Sequence, residues 1–119
     1  MPYDMVTNQL NFIIVNDFVR VYTDGRCEDG RAFMGVLWGP GHFLNTAKRV
    51  SGPDQTKDDA HIQAVMMAFV KANEIGIRKL EIMLDRAIAY QYLRSILQES
   101  DKIEIHWNLT NLTDRDYEF

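Results

Sequence analysis

The sequence predicts one α/β domain built on a five-stranded mixed sheet in the order 3-2-1-4-5, with helices packed on it. Three observations predict it. Three strand-like runs follow one another through residue 50 with short connections, which is the pattern of an antiparallel meander. Two helical periods then alternate with two further strand-like runs, and a β-α-β unit implies a right-handed parallel crossover. The chain has 119 residues, 46% hydrophobic and 25% charged, which suits a single cored domain rather than a disordered or fibrous chain.

Residues 1–16 hold an apolar stretch with Met5, Leu10, Phe12, Ile13, Ile14 and Val15. Such a stretch must be buried, as an edge strand of its own sheet or as an arm on another chain. Residues 17–107 form the predicted domain. Residues 17–24 are rich in β-branched and aromatic side chains and read as the first strand. Gly25 and Gly30 bracket a polar loop, and residues 31–38 are the second strand. Gly39-Pro40-Gly41 is a turn, and residues 43–50 are a weaker third strand.

Ser51-Gly52-Pro53-Asp54 breaks the chain. Thr56 and Asp59 have capping-box spacing. Ile62, Val65, Met66, Phe69 and Ala72 follow at helical spacing, and Gly76 ends the helix. Residues 79–84 are the fourth strand. Residues 86–99 are a second amphipathic helix with Ile88, Tyr92, Leu93, Ile96 and Leu97. Residues 102–107 alternate strictly and form the fifth strand. Residues 108–119 are a polar tail without a period.

Composition excludes several functions. One cysteine, Cys27, rules out an internal disulfide framework and a cysteine-rich zinc site. A formal charge of −4 argues mildly against a general nucleic-acid coat. No apolar run is long enough to span a membrane, and the start has no secretory pattern. An intracellular location, cytoplasm or nucleus, is therefore expected, and the two Asn-Leu-Thr triplets at 108 and 111 read as chance matches to a glycosylation acceptor.

In a 3-2-1-4-5 sheet the winding reverses between strands one and four, and ligands favour the carboxyl ends of strands there. Asp24 ends the first strand and Asp85 the fourth, so two carboxylates converge. They suit a divalent cation, or they are ordinary strand-end turn residues.

The motifs around them resemble type 1 ribonuclease H of the eukaryotic kind. Tyr22-Thr23-Asp24-Gly25 resembles that family's opening motif. Trp38-Gly39-Pro40-Gly41-His42 with Leu44-Asn45, Gly52-Pro53 with Gln55-Thr56, and residues 79–85 ending in Asp85 resemble its later motifs in order. The resemblance implies the ribonuclease H-like fold and cleavage of RNA in RNA–DNA hybrids by Mg²⁺ or Mn²⁺ on an Asp, Glu, Asp, Asp cluster. Asp24 matches the first acid and Asp85 the third. Where the family reads Gln-Thr-Asn-x-Arg-Ala-Glu, this chain reads Gln55-Thr56-Lys57-Asp58-Asp59-Ala60-His61, so His61 takes the place of the glutamate. The resemblance also points to Arg26, Cys27, Gln55, Thr56 and Lys57 as nucleic-acid contacts. No motif marks a fourth acid, although Asp114 and Asp116 lie in the tail. The family's basic, Trp- and Lys-rich protrusion before the fifth strand has no counterpart.

Imidazole prefers softer metals than Mg²⁺, and Arg86 beside Asp85 is placed to pair with that carboxylate. The chain therefore reads as a degenerate ribonuclease H-like domain, catalytically inactive and without a cofactor, serving as an interaction module. Its expected partner is a protein or a second copy, with an RNA–DNA hybrid as the lesser option. The alternative is an active ribonuclease H with a rearranged acidic site and Mg²⁺ or Mn²⁺. Two readings remain for His61: a polar group bonded to Asp24 or Asp85, or a ligand, with both aspartates, for a softer metal. Lys48, Arg49, Lys57, Arg26, Arg31 and Arg86 supply positive charge near the site, but acidic residues interleave with them.

Overall fold

The computed structural model describes residues 10–98 and 102–109. Their elements are β1 (Ile13–Val15), β2 (Phe18–Glu28), β3 (Arg31–Leu37), β4 (Thr46–Arg49), α1 (Lys57–Ile75), β5 (Lys79–Leu84), α2 (Ala87–Gln98) and β6 (Glu104–Leu109). The sheet runs β4-β3-β2-β5-β6, with β1 also paired to β2. Without β1 this is the expected 3-2-1-4-5 order. Pairings β2–β3 and β3–β4 are antiparallel, and β2–β5 and β5–β6 are parallel.

Two local expectations are corrected. The segment after Asp24 is not a loop: Gly25, Arg26 and Cys27 pair with Met34, Phe33 and Ala32. The reversal is only Asp29-Gly30, both at positive φ (51° and 73°), a two-residue hairpin turn matched to strand twist. Asp24 therefore lies inside β2 rather than at its end. Likewise β6 runs through Leu109, so Asn108 and Leu109 belong to the sheet. Asp114 and Asp116 lie outside the described residues.

β1 and β2 form a second tight hairpin. Asn16 and Asp17 both take positive φ (52° and 71°), and Ile13, Ile14 and Val15 pair with Arg20, Val19 and Phe18. The same segment is held from its other side. Phe12 is buried, meets Trp38 edge-on at 5.4 Å and stacks on His42 at 4.8 Å. His42 Nε2 lies 2.7 Å from the Leu10 carbonyl oxygen.

α1 begins at the expected cap, with the Thr56 half of the capping box formed and Asp59 turned to Gln63. The Thr56 hydroxyl accepts the Asp59 N–H at 3.0 Å, while the Asp59 carboxylate accepts from Gln63 at 2.8 Å. Gly76, at φ 85°, ends the helix with its N–H directed to Ala72 and Asn73 carbonyls, a left-handed cap that glycine adopts without Cβ strain. The buried face differs from the expected one. It is a ridge of Ala60, Ala64, Ala68 and Ala72 with His61 and Val65, while Ile62, Met66 and Phe69 are only partly buried. Alanines at i, i+4 let a helix lie close on the sheet, and larger side chains then flank the contact.

Both helices join one core with Val19, Val21, Val36, Trp38, Leu80, Ile82 and Leu84. On β2 the alternate residues Arg20, Tyr22 and Asp24 are only part-buried. Among the described residues no helix covers their face. There Glu81 is 4% exposed, accepts from Arg20 Nε at 2.6 Å and Asn108 Nδ2 at 3.1 Å, and lies 3.3 Å from His106 Nδ1. Burial pushes the Glu81 carboxyl up, but the hydrogen bonds from Arg20 and Asn108 outweigh it and hold it below the usual range.

Candidate functional site

Asp24 on β2, His61 on α1 and Asp85 just beyond β5 converge, as the sequence indicates. Each residue of Tyr22-Thr23-Asp24-Gly25 has a local task. Tyr22 closes the β2–β5 ladder opposite Met83. Thr23 is fully buried and donates to the Met83 carbonyl at 3.0 Å, which ties the two strands together where their ladder ends. That tie fixes Asp24 relative to Asp85. Gly25 lies beneath the first turn of α1. A Cβ there would stand 2.7 Å from the His61 nitrogen and 2.8 Å from the Ala60 Cβ. Glycine thus lets α1 descend far enough to bring His61 between the two aspartates.

His61 is completely buried. Its Nε2 lies 3.6 Å from Asp24 Oδ1 and 3.6 Å from Asp85 Oδ1. Those separations exceed hydrogen-bond range, and neither ring nitrogen has a hydrogen-bond partner. The expectation that His61 bonds to an aspartate is therefore corrected. Burial lowers the imidazole below its ordinary value, against the pull of Asp85 and Asp24, and so favours the neutral ring. Burial also raises the Asp24 carboxyl, with the Asp85 charge adding to it and the Gly25 N–H, bonded at 2.8 Å, opposing.

Arg86 does not occupy the centre. Its Nε donates to Asp58 Oδ1 at 2.9 Å, because Asp58 on the first turn of α1 is the carboxylate it reaches. Among the described residues the ligand-capable group is Asp24, His61 and Asp85, whose atoms all lie within 4.8 Å of one another. This set does not fit the two Mg²⁺ ions that the resemblance implies. Hard dications crowded together need several anionic oxygens, and here a neutral nitrogen stands where a carboxylate is required.

The expected nucleic-acid contacts divide into two groups. Gln55 is spent on the fold: its Oε1 accepts the Ala32 N–H, and its Nε2 donates to the Val50 and Gly52 carbonyls. Thr56 caps α1. Cys27 is exposed and donates to the Gln55 carbonyl oxygen at 3.3 Å, and Lys57 is exposed at the helix start. Arg26 lines an open cavity of about 340 Å³ with Asp24, Phe33, Gly35, Lys48 and Arg49. Phe33 is the member that the sequence did not single out. Its alternation with buried Ala32 and Met34 was the available signal.

No family model matches the chain. The sequence is 43% identical to ribonuclease H1 of Homo sapiens over 79 residues, 62% of this chain and 27% of that protein. It is 39% identical to ribonuclease H1 of Mus musculus over 85 residues, 67% of this chain and 30% of that protein. The chain thus spans less than a third of the length of these curated relatives. Among solved structures, LC11 ribonuclease H1 in complex with RNA/DNA hybrid superposes with a TM-score of 0.58 at 13% identity, covering 79% of this chain and 86% of that one. Ribonuclease H1 of Halobacterium salinarum gives 0.52 at 15% identity, covering 78% and 83%. The fold is that of the ribonuclease H domains, and over the matched stretch the sequence is ribonuclease H1-like.

Proposed function

We propose that this domain does not cleave RNA–DNA hybrids and acts as an interaction module whose main partner is a protein. The carrying observation is His61, an imidazole fully buried between Asp24 and Asp85 where the resemblance implies a carboxylate. Hydrolysis with two Mg²⁺ ions needs negative charge at that point to hold both ions. The docking surface is on α2. Ile88, Tyr92 and Ile96 follow at i, i+4, i+8 and are 46%, 58% and 50% exposed, while Ala89, Leu93 and Leu97 face the core. A helix with a second, solvent-facing apolar stripe suits a protein interface.

Hybrid binding is a second reading, favoured by the cavity that sets Phe33 among Arg26, Lys48 and Arg49 beside Asp24. Aromatic faces and cations together suit nucleic acid. One solved relative in fold is itself bound to an RNA/DNA hybrid.

A hybrid-cleavage assay in Mg²⁺ and in Mn²⁺ tests the reading. The expected result is no cleavage above that of Asp24→Asn. Cleavage by the wild type that Asp24→Asn abolishes would establish the alternative, an active ribonuclease H. For the docking face, sedimentation of wild type and Tyr92→Lys is compared. A concentration-dependent mass lost in the variant identifies a second copy as the partner, and a monomer throughout directs the search to another protein.

A further inference from the structure

We propose that Asp24, His61 and Asp85 form a site for one transition-metal dication of the zinc class, which discriminates against Mg²⁺. Two features of the geometry carry this. The first is the orphaned imidazole. A fully buried ring with no partner at either nitrogen is costly to leave unsatisfied, and its Nε2 is equidistant from two carboxylate oxygens.

The second is the spacing. At 3.6 Å the Nε2–oxygen distances are too long for hydrogen bonds. They are close to the edge of a tetrahedral coordination shell, about 3.4 Å for bonds of about 2.1 Å. A Mg²⁺ octahedron at about 2.1 Å has shorter edges, about 3.0 Å, and takes oxygen ligands. Imidazole nitrogen and carboxylate oxygen are both zinc ligands, and three protein ligands leave a fourth position for water. Deprotonated carboxylates and a neutral imidazole are the forms that bind metal. Thr23 and Gly25 hold the three residues at these separations from outside the ligand set.

The inference concerns ion binding and is read without any cleavage measurement. Its failure is therefore distinguishable from failure of the proposed function. Tag-free full chain is titrated with Co²⁺, a spectroscopic stand-in for zinc, and visible absorption is recorded. The expected result is one equivalent of Co²⁺ with the intense bands of a tetrahedral site, displaced by equimolar Zn²⁺ and unaffected by a hundredfold excess of Mg²⁺. His61→Ala is expected to weaken Co²⁺ binding at least tenfold. Should that variant fail to fold by circular dichroism, Asp24→Asn provides the same comparison. His61→Glu is expected to make Mg²⁺ an effective competitor. An absence of visible bands, equal binding by wild type and the folded ligand variants, or displacement by Mg²⁺ from the wild type would overturn the proposal.

Discussion

At the scale of single residues, the Thr23, Asp24 and Gly25 run is three different constraints. Thr23→Val keeps the volume and removes the bond to Met83, at a cost of about 1 kcal/mol in a denaturant melt. Gly25→Ala is expected to cost about 1–3 kcal/mol, the range for forcing extra atoms into a packed contact. The neighbour is helix backbone, which cannot give way as a side-chain tip can. Asp85 was legible because it follows a strand end, Asp24 through a strand end that the structure moves to Glu28, and His61 through the resemblance at residues 55–61. The Arg86 partner was not. Asp58 and Asp85 are both plausible from sequence, and only the seating of α1 decides between them.

Glu81 is the residue whose importance the sequence hid. It sits in an alternating strand where an acid reads as a solvent-facing position, yet it is buried under Arg20, His106 and Asn108. Its pKa in the fold lies below the ordinary 4.5. A carboxyl depressed by folding adds stability that is fully present above the unfolded value and is lost as pH falls through the folded one. Glu81→Gln is therefore expected to cost about 1.5–3 kcal/mol at pH 7. The cost should shrink below pH 4.5 in melts of both proteins.

At the scale of elements, periodicity located both helices and assigned their apolar faces less well. α1 shows large side chains at helical spacing, but its sheet contact is made by alanines, because the closest approach requires the smallest side chains. α2 shows one broad apolar sector of which only part is buried. Its two halves make opposite predictions. Leu93→Ala, in the core, is expected to cost about 2–5 kcal/mol. Ile96→Ser, on the exposed half, is expected to change stability by less than about 0.5 kcal/mol. Chemical denaturation of the two variants checks both. The turn between β2 and β3 was misread because Gly25 resembles a loop glycine, whereas its role is to admit a helix.

At the scale of the molecule, sheet order followed from the connections alone, and the sixth strand did not. β1 is short, and apolar residues at a chain start are equally consistent with an arm. Its attachment at both ends, through the β1–β2 hairpin and through Phe12 against Trp38 and His42, makes it part of the domain. Phe12→Ala is accordingly expected to destabilise the whole fold by about 3 kcal/mol. Trp38 fluorescence and far-ultraviolet circular dichroism should report one coincident transition.

The hairpin also bears on time. β2 has neighbours on both sides from Val19 to Arg20 and again at Tyr22, but beyond Tyr22 its ladder with β5 stops. Amide hydrogens are released slowly where opening requires the whole sheet to come apart, and faster where local fraying suffices. The amides of residues 19–22 should therefore exchange with solvent deuterium at the global unfolding rate, and those beyond Cys27 orders of magnitude sooner. The three converging side chains stand at the boundary between these regimes, on a frame that holds its shape for as long as the protein stays folded.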